Sequence, residues 1–239
     1  MVASVTIRRR TLPLLALAAV SVPALADTLD LAVTCDTTLA PALRRVAAVY
    51  KARTGAQVFV FPTGPGLILP QLVRDIQNDI VVTQTTILEQ AAQAGVIASA
   101  ISAQWRNPVV IAGLRGAGAI DRAFAATDPT PASDIDGPAL LARLDITPTR
   151  TLGAVDTDEV AFLLTTGAAQ AGLLHMTDVR ADEHLAVIRP VPAEVQPPLL
   201  YAASVTRLAR RPNPEGFVAF LATGEATAIL SAAGLEMAT

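Results

Sequence analysis

Residues 29–61 read LDLAVTCDTTLAPALRRVAAVYKARTGAQVFVF, and they spell a strand, a helix and a second strand in direct succession. Leu29, Leu31 and Val33 alternate as the apolar positions of a strand. Leu39, Leu43, Val46 and Tyr50 then recur at helical spacing, with Pro41 tolerable in the first turn and Gly55 placed to end the helix. Residues 57–61 return to a β pattern. Parallel neighbours in a sheet need a crossover of this length, so the unit predicts an α/β fold with a largely parallel sheet.

The same alternation continues outward from this stretch. After the turn Pro62-Thr63-Gly64-Pro65-Gly66, a helix is expected with Leu69, Leu72, Val73 and Ile76 on its buried side, then a strand over 79–83. Ile87, Leu88 and Ala91 mark a further helix closed by Gly95. Strands are expected over 108–112, 124–127, 151–155, 172–176 and 185–191, with a Gly-rich loop over 113–118. Residues 138–144 and 156–166 read as helices; Asp156 can accept from the first turn of the second while Glu159 reaches back to it. Beyond Pro192 a proline-rich crossing leads to a strand over 199–203 and two closing helices over 214–222 and 225–233.

The N-terminus is of a different kind. Arg8, Arg9 and Arg10, the apolar run 12–22 and Ala24-Leu25-Ala26 have the layout of a secretory signal, so residues 1–26 are expected to be removed on export and the chain to work in the periplasm. Val33 and Thr34 precede Cys35 where a lipid-anchor motif needs small residues, so free release is expected. With the three signal arginines gone, the 18 basic residues become 15 against 21 acidic ones, a net charge of −6 that argues against a nucleic-acid partner. A lone cysteine offers no internal disulfide, and Cys35 reads as a small buried apolar group at a strand end.

Several strings in this order resemble the periplasmic molybdate-binding family of ABC importers: 39–55 after the first strand, 71–83 as helix then strand, Ala171-Gly172-Leu173-Leu174-His175 followed by Thr177-Asp178, and Gly216-Phe217 through Gly234-Leu235. The resemblance spans nearly the whole chain after the signal. It implies a two-lobed periplasmic-binding-protein (Venus flytrap) fold, each lobe a mostly parallel sheet flanked by helices, with ligand held in the cleft and sealed by hinge closure. It also implies one lobe from 27–105 plus 195–239 and another from 106–194, and a monomer that serves a membrane permease.

Carried onto this sequence, the resemblance puts Thr37 and Thr38 at the hydroxyl position after the first strand. Thr63, Gly64 and Gly66 fall in the turn after the second, where the usual serine pair is missing. Ser133 lies in a shortened Asp-Pro…Ala segment that begins at Asp128. Asp156 and Thr157 start a helix facing the cleft, and His175 stands where the family has a tyrosine. Such a site needs no cationic side chain, because helix N-termini and hydroxyls together can hold a dehydrated oxyanion.

Two residues leave alternatives open. Asp36 either turns away to cap the following helix, or the ligand brings a donor or a positive charge to it. His175 serves as a neutral donor, as a cation, or as a strand histidine satisfied by backbone. The ligand is accordingly a molybdate-like oxyanion or, in the same fold, a small organic anion, a metal complex or a cofactor; Asp36, Asp134, Asp156 and His175 are the residues a cation would use. No zinc motif, phosphate loop or nucleophile elbow occurs in the sequence, so neither an enzyme nor a resident cofactor or metal is expected. A regulator's effector domain shares the architecture, but the signal segment and the lack of a helix-turn-helix argue against it.

Overall fold

The computed structural model describes residues 30–74, 78–98, 102–117, 120 and 122–238; the signal segment, Leu29, Ile76 and Gly118 lie outside them. Strand β1 (Leu31–Asp36) is buried at every position, which is what a strand covered by helices on both faces requires. It pairs in parallel with β2 (Val58–Thr63), Leu31 opposite Val58 through Asp36 opposite Thr63, and with β3 (Ile80–Gln84) on its other side. A short 3-10 turn, Thr37–Leu39, leads into the crossover helix α1 (Ala40–Thr54), which buries Leu43, Val46, Ala47 and Tyr50 and ends at Gly55 with φ of 79°. That left-handed conformation is why glycine stands there.

Helix α2 (Pro65–Val73) corrects the expected face. It buries Ile68 and Leu72 against Val81, Leu88, Ala91 and Ala202, while Val73 is 57% exposed. Starting at Pro65 sets the helical phase, and the Ile68/Leu72 pair one turn apart then meets the sheet. Helix α3 (Thr85–Gln93) follows as expected, with Leu88 and Ala91 inside.

The chain forms two mixed sheets. In the first, the order is β11-β4-β10-β3-β1-β2. Its parallel core is continued by antiparallel β10 (Leu199–Val205), β4 (Ser102–Asn107) and β11 (Glu236–Met237). Neither β4 nor β11 is legible in the sequence: SAQWRN has no apolar alternation, and a two-residue strand has no pattern at all.

The second sheet runs β7-β6-β8-β5-β9, from β5 (Val109–Leu114), β6 (Ala123–Thr127), β7 (Arg150–Ala154), β8 (Ala171–His175) and β9 (Leu185–Pro190). Its parallel trio β7-β6-β8 is flanked by antiparallel β5 and β9. Gly113, expected in a loop, lies within β5, where a Cβ would stand 2.6 Å from the Gln170 carbonyl. Helices α4 (Gly137–Arg143), α5 (Thr157–Thr165) and α6 (Met176–Ala181) belong to this half; α6 is an element the sequence reading lacks. Helices α7 (Pro214–Leu221) and α8 (Gly224–Ala232) return to the first sheet, where Phe217 and Phe220 pack on Tyr50.

The chain passes between the sheets twice, at Asn107 to Val109 and at Pro190 to Leu199. Buried Asp79 fastens the first sheet, accepting from Ala32 N at 2.8 Å, from Arg210 N at 3.1 Å and from Arg211 Nη1 at 3.1 Å. Cys35 is fully buried, and that burial, reinforced by neighbouring Asp36, pushes its thiol pKa up and keeps it an uncharged core group.

Candidate functional site

Ligands of open α/β sheets collect at the carboxyl ends of the strands, and here the two parallel trios point theirs at one another. Strand β1 ends at Asp36, β8 ends at His175, the segment after β6 brings Ala132, Ser133 and Asp134, and α5 starts beside Asp156 and Thr157. Together with Thr37, Thr38 and Pro65 these residues line one cavity of about 20 Å³. The cavity is small and lined mostly by polar residues.

A buried polar network stands behind the cavity. His175 Nε2 lies 2.7 Å from Asp134 Oδ1, and Asp134 Oδ2 accepts from Tyr201 Oη at 2.8 Å and from Gln84 Nε2 at 2.9 Å. Asp134 and His175 belong to the second-sheet half, Tyr201 and Gln84 to the first, so one carboxylate ties the two halves together. Burial alone would discharge both members of the His–Asp pair, but their mutual attraction wins. The imidazole pKa is raised to about 9 and the Asp134 carboxyl is held below its usual range, which favours a charged ring at neutral pH. Tyr201 is pushed well above its ordinary value by burial and by Asp134, and it remains a donor.

Asp36 does not cap the following helix. It is 1% exposed, makes no capping bond, and lines the cavity with Oδ2 accepting from Thr83 Oγ1 at 3.3 Å. The end of β1 directs the side chain inward, leaving the 3-10 turn to begin without it. Burial, then Asp134, push its pKa well above the usual carboxylate range. Asp36 Oδ1 and His175 Nδ1 are both buried without a partner among the described residues. Orphaned groups of this kind cost about 1–3 kcal/mol each, and both belong to residues that line the same small cavity, which marks it as a place for an occupant.

A second chain of hydrogen bonds joins the halves beside the cavity. Asn107 Nδ2 donates to Thr177 Oγ1 at 2.9 Å, Thr177 Oγ1 lies 2.5 Å from Thr38 Oγ1, and Thr38 Oγ1 donates to Asp178 Oδ1 at 2.5 Å. Because the Thr38 hydrogen goes to the carboxylate and Asn107 donates to Thr177, the Thr177 hydroxyl donates to Thr38. Asp178 Oδ2 accepts the His175 backbone N–H at 3.0 Å, and the Thr157 hydroxyl also bonds to this carboxyl.

Of the residues expected from sequence, Thr37, Thr38, Ser133, Asp156, Thr157 and His175 meet at the cavity. The glycine turn is put to another use. Gly66 N donates to Pro131 O at 2.9 Å, so that N–H is not free for a ligand, and a Cβ on Gly64 would stand 2.9 Å from the Ala132 Cα. Thr63 is turned toward Gln71 Oε1 at 3.4 Å, and it does not line the cavity. Asp156 caps α5, accepting from Glu159 N at 2.9 Å, while Glu159 reaches back to Val155 N at 2.8 Å, one residue earlier than expected. His175 Nε2 is occupied by Asp134, and among the described residues no three His, Cys, Asp or Glu side chains form a metal-holding group.

Tyr201, Gln84, Thr83, Thr177 and Asp178 are site residues that sequence reading misses. The one available signal is that Thr177-Asp178 and Tyr201 each sit at a predicted strand or its end, where polar residues are out of pattern for a buried strand.

Two mixed sheets facing each other across a polar crevice, crossed by the chain twice, define a two-lobed binding-protein fold. The match to the bacterial extracellular solute-binding protein family covers residues 31–236, and the chain belongs to that family. Its fold is similar to the periplasmic molybdate-binding protein of Azotobacter vinelandii (TM-score 0.71, 18% identity, 87% of this chain and 100% of that one). It is also similar to the sulfate-binding protein SubI of Mycobacterium tuberculosis H37Rv (0.66, 12%, 86% and 86%) and to iron-bound HitA of Pseudomonas aeruginosa (0.56, 15%, 84% and 84%). Among curated proteins none matches this chain. None of the described helices is long and apolar enough to cross a membrane.

Proposed function

We propose that this chain is the periplasmic solute-binding protein of an ABC importer, capturing a small oxyanion between its lobes and handing it to the membrane permease. The observation that carries this reading is the buried His175 ring held 2.7 Å from Asp134, a contact that raises its pKa to about 9 and favours the charged form. Its Nε2 lies against Asp134, its Nδ1 is buried without a partner, and the ring belongs to a cavity lined by no lysine or arginine, all among the described residues. A buried, unpaired N–H donor on a cation calls for an acceptor with negative charge. The Thr37 hydroxyl and the start of α5 stand beside it, and helix starts favour anions. The small volume favours a compact ion over an extended organic solute.

The lobes divide close to 27–105 with 195–239 and 106–194, so that hinge closure about the two crossings makes and breaks the cavity. The Thr38–Asp178 and Tyr201–Asp134 bonds join the halves in this closed arrangement. Cys35 is uncharged and buried, which suits a binding protein and not a nucleophilic enzyme. The extracellular family supports a periplasmic location, as does the expected signal segment.

Thermal melts of the mature protein with molybdate, tungstate, sulfate, phosphate, divalent metals and small carboxylates test the reading. Ligand at about a hundred times its Kd adds about 2.7 kcal/mol, which for a chain of this size raises Tm by roughly 5–10 °C. Shifts produced only by metals or organic solutes would overturn the oxyanion assignment.

A further inference from the structure

Asp36 poses an electrostatic problem that the oxyanion reading must solve. Asp36 is 1% exposed and is one of the residues lining the cavity where an anion would sit. Thr83 Oγ1 donates to Oδ2, so Oδ2 is the acceptor oxygen; Oδ1 has no partner among the described residues. Two anionic oxygens facing each other in a buried cavity repel strongly, whereas one hydrogen between them turns repulsion into a charge-assisted hydrogen bond.

We infer that one hydrogen lies between Asp36 Oδ1 and an oxygen of the bound anion, so that Asp36 recognises the solute as a neutral acid or by accepting the solute's own hydroxyl. The inference rests on the oxyanion reading and names the class of anion: one whose oxygen can share a proton at this point while another oxygen takes the Nδ1–H of His175. The hydrogen comes from Asp36 when the anion is fully deprotonated, and from the anion when it is a hydrogen oxyanion. In both cases the complex holds one proton more than the bare pair of charges.

The groups around Asp36 agree with this placement. Asp134, from the segment after β6, disfavours charge on Asp36, Asp156 before α5 lines the same cavity, and Asp178 on α6 faces His175. His175 on β8 favours charge there, Thr83 on β3 donates to it, and Tyr201 on β10 and Cys35 on β1 are neutral. Arg44 on α1 acts on neighbouring Cys35. Burial and Asp134 outweigh the opposing influences, and the Asp36 pKa stands well above the carboxylate range before any anion binds.

The test uses sulfate and molybdate, which carry no proton near neutral pH, titrated calorimetrically into the wild-type protein and Asp36→Asn from about pH 5.5 to about pH 8. His175, with its pKa raised to about 9, stays charged across most of this window. In the Asp36→Asn variant the side-chain carbonyl can still accept from Thr83, while the amide presents a permanent N–H to the anion. The wild-type affinity is expected to fall with rising pH, toward about tenfold per pH unit as Asp36 ionises, while the variant's affinity stays flat. Infrared difference spectra of the wild-type complex should show a carboxylic-acid carbonyl band that the variant lacks. Parallel pH profiles without such a band would overturn the shared proton. Failure of both anions to bind either protein would sink the oxyanion reading itself, which is a separate result.

Discussion

His175 Nε2 and Asp134 Oδ1 lie 2.7 Å apart with 1% and 11% of their side chains exposed, and the second oxygen of the same carboxylate takes hydrogen bonds from Tyr201 and Gln84 across the cleft. One side chain thus fixes the charge of the ring and the approach of the opposite lobe. Buried pairs of this sort are weak evidence for net stability, but removing one partner leaves an uncompensated charge. Asp134→Asn is expected to lose about 3–5 kcal/mol in denaturant unfolding. The His175 ring should titrate below its wild-type value when followed by NMR.

The pair also sets a pH limb. The folded pKa of His175, about 9, lies above the unfolded value of 6.5, so the contribution is fully present below pH 6.5 and is lost as pH rises through about 9. Stability of the wild type should decline across that window by an amount of order 3 kcal/mol. His175→Gln should show no such decline. Asp134, held below its usual range, contributes above pH 3.8 and loses that contribution on further acidification.

Thr38→Val removes the hydroxyl that joins Thr177 and Asp178 across the cleft. Asp178 is then left with one donor fewer in a buried setting, in the closed form alone. The expected result is a loss of solute affinity of about tenfold or more, since a hydrogen bond to a charged group is worth about 1.5–3 kcal/mol. The unfolding midpoint without solute should change little. Calorimetric titration alongside thermal melts separates the two.

Asp79 provides the contrast. It gathers Ala32 N, Arg210 N and Arg211 Nη1 within the first sheet, away from the cavity. Asp79→Ala should lower stability by about 2–4 kcal/mol and leave solute affinity unchanged in material that remains folded.

The fold is legible in the sequence where periodicity is strong. The unit from Leu31 to Thr63 has crisp apolar spacing and a glycine stop, and β1, α1 and β2 lie close to expectation. Polar β4 and the short α6 carry no such signal. At the site, local chain features bring Thr37, Thr38, Asp156, Thr157 and His175 into view, because each sits at a strand end or helix start. Tyr201 and Asp178 join it through sheet pairing and a helix invisible to periodicity. The inward turn of Asp36 depends on burial by the surrounding elements, which no local pattern encodes.

Gly66 shows how the glycine turn serves the cleft. Its N–H donates to Pro131 O at 2.9 Å, and a Cβ at this position would stand 2.9 Å from that same oxygen and 3.0 Å from the Pro131 Cα. Both neighbours are backbone or proline atoms of the opposite half, so neither can swing aside as a flexible side chain would. Gly66→Ala therefore has to widen the gap between α2 and the segment ahead of Ser133. The first turn of α2 itself gains a better helix former, so the lobe is not expected to unfold. The expected outcome is a solute affinity reduced by about tenfold or more through faster release, with Tm unchanged within a few degrees. Stopped-flow dissociation measures the release, and small-angle scattering of the solute-bound variant should report a more open particle than the wild type. Unchanged release would mean that the two backbones separate without cost, and that the contact plays no part in closure.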